Sequence, residues 1–325
     1  MAARKSYWIG FDLGGTKMLA TVVDSNFRVV GTRRRKTKGE EGAKAGLARI
    51  VKTIDEALAD AGLDRAQVGA IGIGAPGMLD LDRGILIHAP NLGWRQVALK
   101  RALNRFFHVP VIIANDADAG TYAEYRFGAA RKSRCVLGVF PGTGIGGACV
   151  YEGRIFRGKT GSCMEIGHVP VVPNGALCGC GRNGCLETVA SRLAISAELA
   201  QAAYRGDAPA LLQAVGTDIA NIRSGVIRQA IEAGDKNVEK IVRRAARQIG
   251  GVLIGVVHLL APDTVVLGGG LVEEMPDLFV AEIRETLDRG VTDTYRGTFK
   301  VVTACLGDNA TAQGAAALAA EAAAR

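Results

Sequence analysis

The chain has 325 residues, and its 40 lysines and arginines against 32 aspartates and glutamates give a formal charge of +8. A composition that is 48% hydrophobic and 22% charged excludes a disordered chain and supplies the core of about two ordinary domains. The 43 glycines exceed the usual share of about 7% without a three-residue repeat, which excludes collagen and favours tight turns and close backbone approach to ligands.

Apolar runs and helical spacing predict an α/β chain. The predicted strands cover residues 7–11, 19–23, 27–30, 68–73, 109–114, 135–140 and 264–267. The predicted helices cover residues 47–58, 96–107, 117–127, 188–204, 237–260 and 310–324. Several strands are apolar throughout, as expected where both faces of a sheet are covered. A second strand followed by a glycine loop begins near Cys135, so we place the domain boundary just after Asp116.

The sequence has no segment typical of export or of a membrane span. The longest apolar run, residues 250–262, has about a dozen residues and includes His258, whereas a span needs about 20. We therefore expect a cytoplasmic protein without a membrane partner. The basic residues between 33 and 38 form either a nucleic-acid patch or a solvated strand end, and the absence of a DNA-binding motif favours the second. They could also concentrate an anionic substrate such as a nucleotide.

Two glycine-rich loops directly follow predicted strands, Asp12 to Lys17 and Gly142 to Gly147. Phosphate-binding loops use glycine because backbone N–H groups must approach the anion closely, but either loop alone could equally be a hairpin turn. Neither has the P-loop or dinucleotide fingerprint. The threonine in each loop favours phosphate binding, and a carboxylate such as Asp12 beside the first loop suits Mg²⁺. A third glycine cluster, residues 268–270, offers a backbone that an adenosine can approach.

Asn115 and Asp116 stand at the end of an apolar strand, where ligands bind in open α/β sheets. An aspartate there can accept a proton from an alcohol that attacks phosphorus, with the asparagine orienting it. The alternative is that the pair simply caps the following helix, a role in which both residue types are common.

Four residues predict a zinc site: His168, Cys178, Cys180 and Cys185. One imidazole and three thiolates suit tetrahedral Zn²⁺, and because the protein fills all four positions the metal would be structural. A redox role is the alternative, but the C-x-C pair lacks the context of a thioredoxin-like motif. Two glutamates, residues 165 and 187, bracket the cluster and could hydrogen-bond the hydroxyls of a sugar or could be solvated surface residues.

Together, these motifs resemble the ROK family of sugar kinases and repressors, in the family's order and spacing from about Phe11 to the region of Gly314. The motifs are Asp12-Leu13-Gly14-Gly15-Thr16-Lys17, Asn115-Asp116, Gly142-Thr143-Gly144-Ile145-Gly146-Gly147, Glu165-Ile166-Gly167-His168 and Cys178-x-Cys180-Gly181-x-x-Gly184-Cys185-x-Glu187. The cysteine motif is the most specific of them.

The resemblance implies the actin-like ATPase (ribonuclease H-like) fold, with two α/β domains flanking a cleft. It implies an N-terminal domain of residues 1–117, completed by a C-terminal helix at about 308–325, and a larger domain of residues 118–307 that carries the zinc loop. It also implies a homodimer or homotetramer.

The resemblance further implies transfer of the γ-phosphoryl group of ATP to the 6-hydroxyl of a hexose, glucose first, with Asp116 as the catalytic base. The residues that it implies for sugar binding are Gly77, Asn91, Asn115, Asp116, Glu165, His168 and Glu187. Those that it implies for ATP are Asp12, Gly14, Gly15, Thr16, Lys17, Gly142, Thr143, Gly144, Gly269 and Gly270, with Asp12 positioning Mg²⁺. His168 would serve zinc and sugar with one ring nitrogen each.

One residue departs from the family pattern: Asp118 stands where the family usually has asparagine, and a like charge near Asp116 raises the pKa of that carboxylate. We expect this change to tune the site without abolishing activity. Family repressors carry a winged helix-turn-helix before the first phosphate loop, and the eleven residues before Asp12 favour an enzyme that binds no nucleic acid. The alternatives are a kinase for N-acetylhexosamine or fructose, polyphosphate as the donor, or a non-catalytic, sugar-responsive regulator.

Overall fold

The computed structural model describes residues 7–159, 161 and 163–324 of the chain. It divides into two compact units. Unit 1 is drawn from Met1–Arg131, Arg154–Ser162 and Leu306–Arg325, and unit 2 from Lys132–Gly153 and Cys163–Cys305. The domain boundary predicted between residues 117 and 118 falls within the helix Asp116–Arg126. The first segment of unit 1 continues past this helix to Arg131.

The strands of unit 1 are β1 Tyr7–Leu13, β2 Lys17–Val23, β3 Val29–Lys36, β4 Val68–Ala75, β5 Met78–Asp80, β6 Ile85–Ala89, β7 Trp94–Val97 and β8 Val111–Asn115. One large sheet has the strand order β3-β2-β1-β4-β8, in which β1 pairs antiparallel with β2 and parallel with β4. A smaller sheet of the same unit has the order β5-β6-β7. The helices of unit 1 are α1 Gly42–Asp60, α2 Leu99–Phe107, α3 Asp116–Arg126 and, from the end of the chain, α11 Ala310–Ala323.

The strands of unit 2 are β9 Cys135–Pro141, β10 Ile145–Tyr151, β12 Thr264–Leu267 and β13 Lys300–Thr303. Their order, β10-β9-β12-β13, repeats the arrangement of unit 1, with an antiparallel first pair and parallel neighbours. The short strand β11, Arg154–Ile155, follows β10 in the chain and belongs to unit 1. The helices of unit 2 are α4 Glu187–Ala190, α5 Arg192–Tyr204, α6 Pro209–Val215, α7 Ser224–Glu232, α8 Lys236–Leu260, α9 Gly270–Glu274 and α10 Pro276–Gly290.

The predicted α/β class is confirmed. Each predicted strand and every predicted helix but one has a counterpart; the strand predicted over residues 264–267 has the same bounds, and the other elements differ at one end or both. The single helix predicted over residues 188–204 is wrong, because Ser191 has an extended backbone and its side chain accepts a hydrogen bond from the N–H of Ala194 at 3.2 Å, which starts a new helix. The helix predicted from residue 96 begins at Leu99, since residues 94–97 belong to β7.

The C-terminal helix α11 lies directly on the sheet of unit 1, and glycine makes this packing possible. A Cβ built on Gly10 of β1 would lie 1.7 Å from the carbonyl oxygen of Ala312, and one on Gly72 of β4 would lie 1.9 Å from that of Ala315. Gly314 of α11 makes the reciprocal approach to the backbone of Ala119 in α3. Small residues on both sides therefore complete unit 1 with the last segment of the chain.

Among the described residues, no helix combines the length and the apolar character that crossing a lipid bilayer requires.

Candidate active site

The first glycine loop is the turn of the β1–β2 hairpin, and residues distant in sequence hold it in place. Thr37 donates from its hydroxyl to the carbonyl of Gly14 at 2.6 Å and from its N–H to the carbonyl of Thr16 at 2.9 Å. The side chain of Asn91 lies against Gly15, where a built Cβ would be 3.1 Å from its amide nitrogen. Thr37 thus supports the hairpin by binding two of its carbonyl groups.

Asp12 and Asp116 lie at the same edge of the sheet of unit 1. In the register of the parallel strands, Asp12 pairs with Gly74, and Gly74 pairs with Ala114, two residues before Asp116. Desolvation, then the negative charge of Asp116, raises the pKa of Asp12 to about 7 from its ordinary 3.8, although Lys17 lowers it. The two carboxylates therefore interact, as a pair that shares a proton or a cation does.

Asn115 and Asp116 begin α3, and Asn115 is its cap. The side-chain oxygen of Asn115 accepts hydrogen bonds from the N–H groups of Ala117 at 2.9 Å and Asp118 at 3.3 Å. Asp116 accepts a second bond from the N–H of Ala117, at 2.9 Å. Thr311 of α11 donates to the backbone carbonyl of Asp116 at 3.4 Å. Capping and a chemical role are compatible here, because the cap fixes where the Asp116 carboxylate stands.

Asp118, the departure from the family pattern, is buried and faces a cation. Its carboxylate is 6% exposed, and the Nε atom of Arg157 lies 3.8 Å from its Oδ2 atom. A buried carboxylate needs such compensation, since its charge is costly in a poorly solvated site. The added charge at this position is therefore offset from within unit 1.

Two cations near the first glycine loop, Lys17 and Arg34, converge on one acid. Lys17 Nζ lies 2.5 Å from Asp308 Oδ1, and the Arg34 guanidinium lies 2.9 Å from Asp308 Oδ2. The hydrogen bond from Lys17 outweighs desolvation and lowers the pKa of Asp308. The sequence did not indicate Asp308, because 291 residues separate it from Lys17.

Gly77, predicted to lie near the sugar, occupies a position that requires glycine. Its φ is +82°, and a built Cβ would lie 2.3 Å from the carbonyl oxygen of His88 in β6. Any other residue would be strained here and would clash with backbone. The glycine is therefore explained by packing, and its contact with a sugar stays a prediction.

The second glycine loop is the corresponding turn in unit 2, between β9 and β10, and Glu187 supports it. The carboxylate of Glu187 accepts a hydrogen bond from the N–H of Ile145 at 3.0 Å and occupies the space where Gly144 would carry a side chain. Gly142 donates its N–H to the carbonyl of Gly144 at 2.8 Å. Glu187 thus links the cysteine segment to the loop, a contact that sequence reasoning missed.

The third glycine segment lies beside this loop. Gly269, whose φ is +80°, begins α9, and a built Cβ would be 2.9 Å from the carbonyl oxygen of Pro141. Gly268 donates its N–H to the carbonyl of Val139 at 3.0 Å. Gly270 lies against the hydroxyl of Ser224 in α7. Two of the three predicted nucleotide segments are therefore neighbours within unit 2.

The predicted metal ligands form one cluster. One ligand atom from each of His168, Cys178, Cys180 and Cys185 lies within 4.8 Å of every other. His168 Nδ1 is 3.6 Å from Cys178 Sγ, and the Sγ atoms of Cys180 and Cys185 are 3.7 Å apart. Zinc–sulfur bonds of about 2.3 Å in a tetrahedron place sulfurs about 3.8 Å apart, so the donor set and its spacing fit Zn²⁺. Desolvation raises the pKa of the Cys178 thiol to about 12, so its thiolate forms only beside a compensating cation.

Of the other predicted residues, Glu165 lies immediately before the 3-10 turn that contains His168. The predicted sugar residues are thus divided between the units, with Gly77, Asn91, Asn115 and Asp116 in unit 1 and Glu165, His168 and Glu187 in unit 2.

A strand order that occurs twice, each time with a glycine hairpin between the first two strands, belongs to the actin-like ATPase fold. The chain is a member of the ROK family, whose model matches residues 8–322. The resemblance seen in the motifs is therefore confirmed across nearly the whole chain.

Individual relatives give the same picture. The glucokinase of Streptomyces coelicolor is 35% identical over 323 residues, which cover 96% of this chain and 97% of that protein. The crystal structure of a ROK family glucokinase from Streptomyces griseus, in complex with glucose and AMPPNP, is similar with a TM-score of 0.84 and 34% identity, covering 97% of this chain and 99% of that one. The ROK hexokinase of Thermus thermophilus has a TM-score of 0.81 and 32% identity, covering 97% and 98%.

Proposed function

We propose that this protein is an ATP-dependent hexose kinase that phosphorylates the sugar 6-hydroxyl, with glucose as its first substrate. The observation that carries the proposal is the placement of Asp116 on a capped helix start beside Asp12, at the sheet edge that also bears the first glycine loop. The similarity to glucokinases over almost the full length of the chain supports the same activity.

Asp116 is the proposed base. In the reaction, the sugar O6 forms a bond to the γ-phosphorus as the bond between that phosphorus and the β–γ bridging oxygen breaks, and the O6 proton passes to the Asp116 carboxylate. Little covalent chemistry falls to the protein, so positioning and charge stabilisation provide most of the rate. Asn115 fixes the start of α3 and thereby the reach of the base.

Asp12 offers the oxygen ligand that a hydrated Mg²⁺ prefers, and its neighbour Asp116 strengthens the local negative potential. Mg²⁺ bound with ATP would supply charge neutralisation for the departing phosphates. The residues proposed to hold the phosphates are those of the two glycine loops, with Thr16, Lys17 and Thr143 as side-chain donors. The residues proposed to contact the sugar are those that the family resemblance implies.

Kinetics of Asp116→Asn test the base. We expect kcat to fall about 10²- to 10⁴-fold, the range of general acid–base catalysis, while glucose binding stays within a few-fold of wild type. Asp82→Asn, an exposed aspartate of the same unit, is the matched control and should keep wild-type turnover. Turnover of Asp116→Asn close to that of the control would remove the proposed base.

A panel of sugars and donors separates the alternatives. An N-acetylhexosamine or fructose kinase would keep the dependence on Asp116 and change only the preferred sugar. Polyphosphate as donor would give glucose 6-phosphate without ATP. A non-catalytic regulator would bind sugar, measured by calorimetry, and release no ADP. Cytoplasmic location and a dimeric or tetrameric state stay predictions from the sequence.

The metal cluster is proposed to hold one structural Zn²⁺ per chain, and its donor set and spacing support this assignment. Since Glu187 follows the last cysteine and supports Ile145, the metal would also stabilise the second glycine loop. Elemental analysis of the purified protein should find about one zinc, and Cys178→Ser should lower that content. A fully active preparation without zinc would contradict the assignment.

A further inference from the structure

A cation that the proposed function does not use lies beside the second glycine loop. Arg192, the first residue of α5, donates its N–H to the carbonyl of Gly142 at 2.8 Å. Its guanidinium donates to the hydroxyl of Thr143 at 3.0 Å. The residue is partly buried, and its charge lies directly against the loop.

A second arginine, the exposed Arg223, belongs to a segment that packs against α5. Ser196, one helical turn after Arg192 and on the same face, donates to the carbonyl of Ile222 at 2.6 Å. Arg223 is the next residue, and its Nε donates to the carbonyl of Ala220 at 3.3 Å. After desolvation, the nearby charge of Arg223 is what lowers the pKa of Arg192.

The two cations differ from their neighbours in how they are compensated. Within the part of the chain that the structure describes, neither Arg192 nor Arg223 forms a salt bridge with a carboxylate. By contrast, Arg228 of α7 pairs with Glu232 at 2.7 Å and with Glu274 at 3.0 Å. Like charges that influence each other repel, and a bound anion relieves that repulsion, so two arginines without a carboxylate partner favour an anionic ligand.

The location of Arg192 and Arg223 indicates which kind of anion they would bind. Arg192 contacts Thr143 of the phosphate loop, and Arg223 precedes Ser224, whose hydroxyl lies against Gly270 of the third glycine segment. The pair therefore spans the interval between a phosphate loop and the segment where an adenosine is expected. In a nucleoside triphosphate that interval holds the α- and β-phosphates, and planar guanidinium forks match phosphate oxygens.

We propose that Arg192 and Arg223 bind the non-transferred phosphates of the nucleotide donor and hold the phosphate chain in line beside Thr143. The inference rests on the proposed kinase function and adds two binding residues to it. If this is right, the affinity of the protein for a nucleotide depends more on the phosphate chain than on the base. Adenosine should therefore bind weakly and ADP tightly.

The test is direct binding of a fluorescent ADP analogue to the full-length protein, with inorganic tripolyphosphate as competitor. Arg192→Gln and Arg223→Gln should each weaken binding about tenfold or more, the loss of one charge-assisted hydrogen bond, and flatten its salt dependence. Glucose affinity should stay unchanged. Arg205→Gln, at the other end of α5 and exposed, removes the same charge and should bind like wild type.

Arg192→Lys is a second test of ADP binding, and its result does not depend on whether the glutamine variants fold correctly. It keeps the charge but loses the fork, so it should bind ADP between wild type and Arg192→Gln. Glutamine variants that bind ADP and tripolyphosphate within twofold of Arg205→Gln would overturn the inference. A wild-type protein that phosphorylates no sugar would refute the proposed function alone, because these titrations do not require turnover.

Discussion

Replacing Asp12 by asparagine should stabilise the protein at alkaline pH while it removes activity. Asp12 is a partly buried carboxyl group next to Asp116, and desolvation with this like charge raises its pKa to about 7. Asparagine has nearly the same shape and no charge. The substitution therefore removes the electrostatic cost of ionisation and leaves the packing of β1 unchanged.

The size and sign of the effect follow from the pKa of Asp12. The folded state holds a proton that the unfolded state releases between about pH 4 and pH 7, so the free energy of unfolding falls as the pH rises through that window. A difference of about three units corresponds to about 4 kcal/mol that is fully lost above pH 7. Because asparagine still buries an amide, we expect Asp12→Asn to gain about 2–4 kcal/mol at pH 8.5 and almost nothing at pH 4.

Urea unfolding followed by tryptophan fluorescence measures this, because the two tryptophans, Trp8 and Trp94, both lie in unit 1 with Asp12. The measurement is made without nucleotide and without added Mg²⁺, so that no bound magnesium masks the charge. Glu56→Gln is the opposite control: desolvation raises the pKa of Glu56, but hydrogen bonds from Arg35 and Arg33 outweigh it and leave the pKa lowered. That variant should lose stability at pH 8.5. Equal pH profiles for wild type and Asp12→Asn would refute the reasoning.

Three further predictions concern packing, charge and metal. Gly314→Ala should destabilise unit 1 by about 2 kcal/mol or more in urea, since its Cβ would lie 1.8 Å from the carbonyl oxygen of Ala119, whereas Gly251→Ala, facing open space in α8, should gain up to about 1 kcal/mol. Arg157→Ala should cost about 1–2 kcal/mol by leaving the buried Asp118 carboxylate less compensated, and Asp118→Asn in the same chain should recover most of the loss in a double-mutant cycle. Prolonged chelation should release zinc and lower the melting temperature of unit 2 in calorimetry, and added zinc should restore it; an unchanged melting curve after complete metal removal would count against a structural metal.

Elements carried by continuous residues were predicted well from the sequence. Apolar runs marked the central strands, and the Ala-rich segment before the C-terminus is α11. The break at Ser191 was not predicted, because a single serine is only a weak signal inside a helical pattern. In the structure its side chain accepts a hydrogen bond from the N–H of Ala194 and so starts a new helix. The strand β10 was missed since its glycines interrupt the apolar alternation.

The α/β class, the two glycine loops, the Asn115-Asp116 pair and the four candidate metal ligands could be predicted from the sequence, because each pattern involves residues close together in the chain. By contrast, the salt bridge between Lys17 and Asp308 and the hydrogen bond from Arg192 to Thr143 became visible only once the chain was folded. Such contacts join side chains that are tens to hundreds of residues apart. They depend on how sheets and helices pack, and no local spacing encodes that.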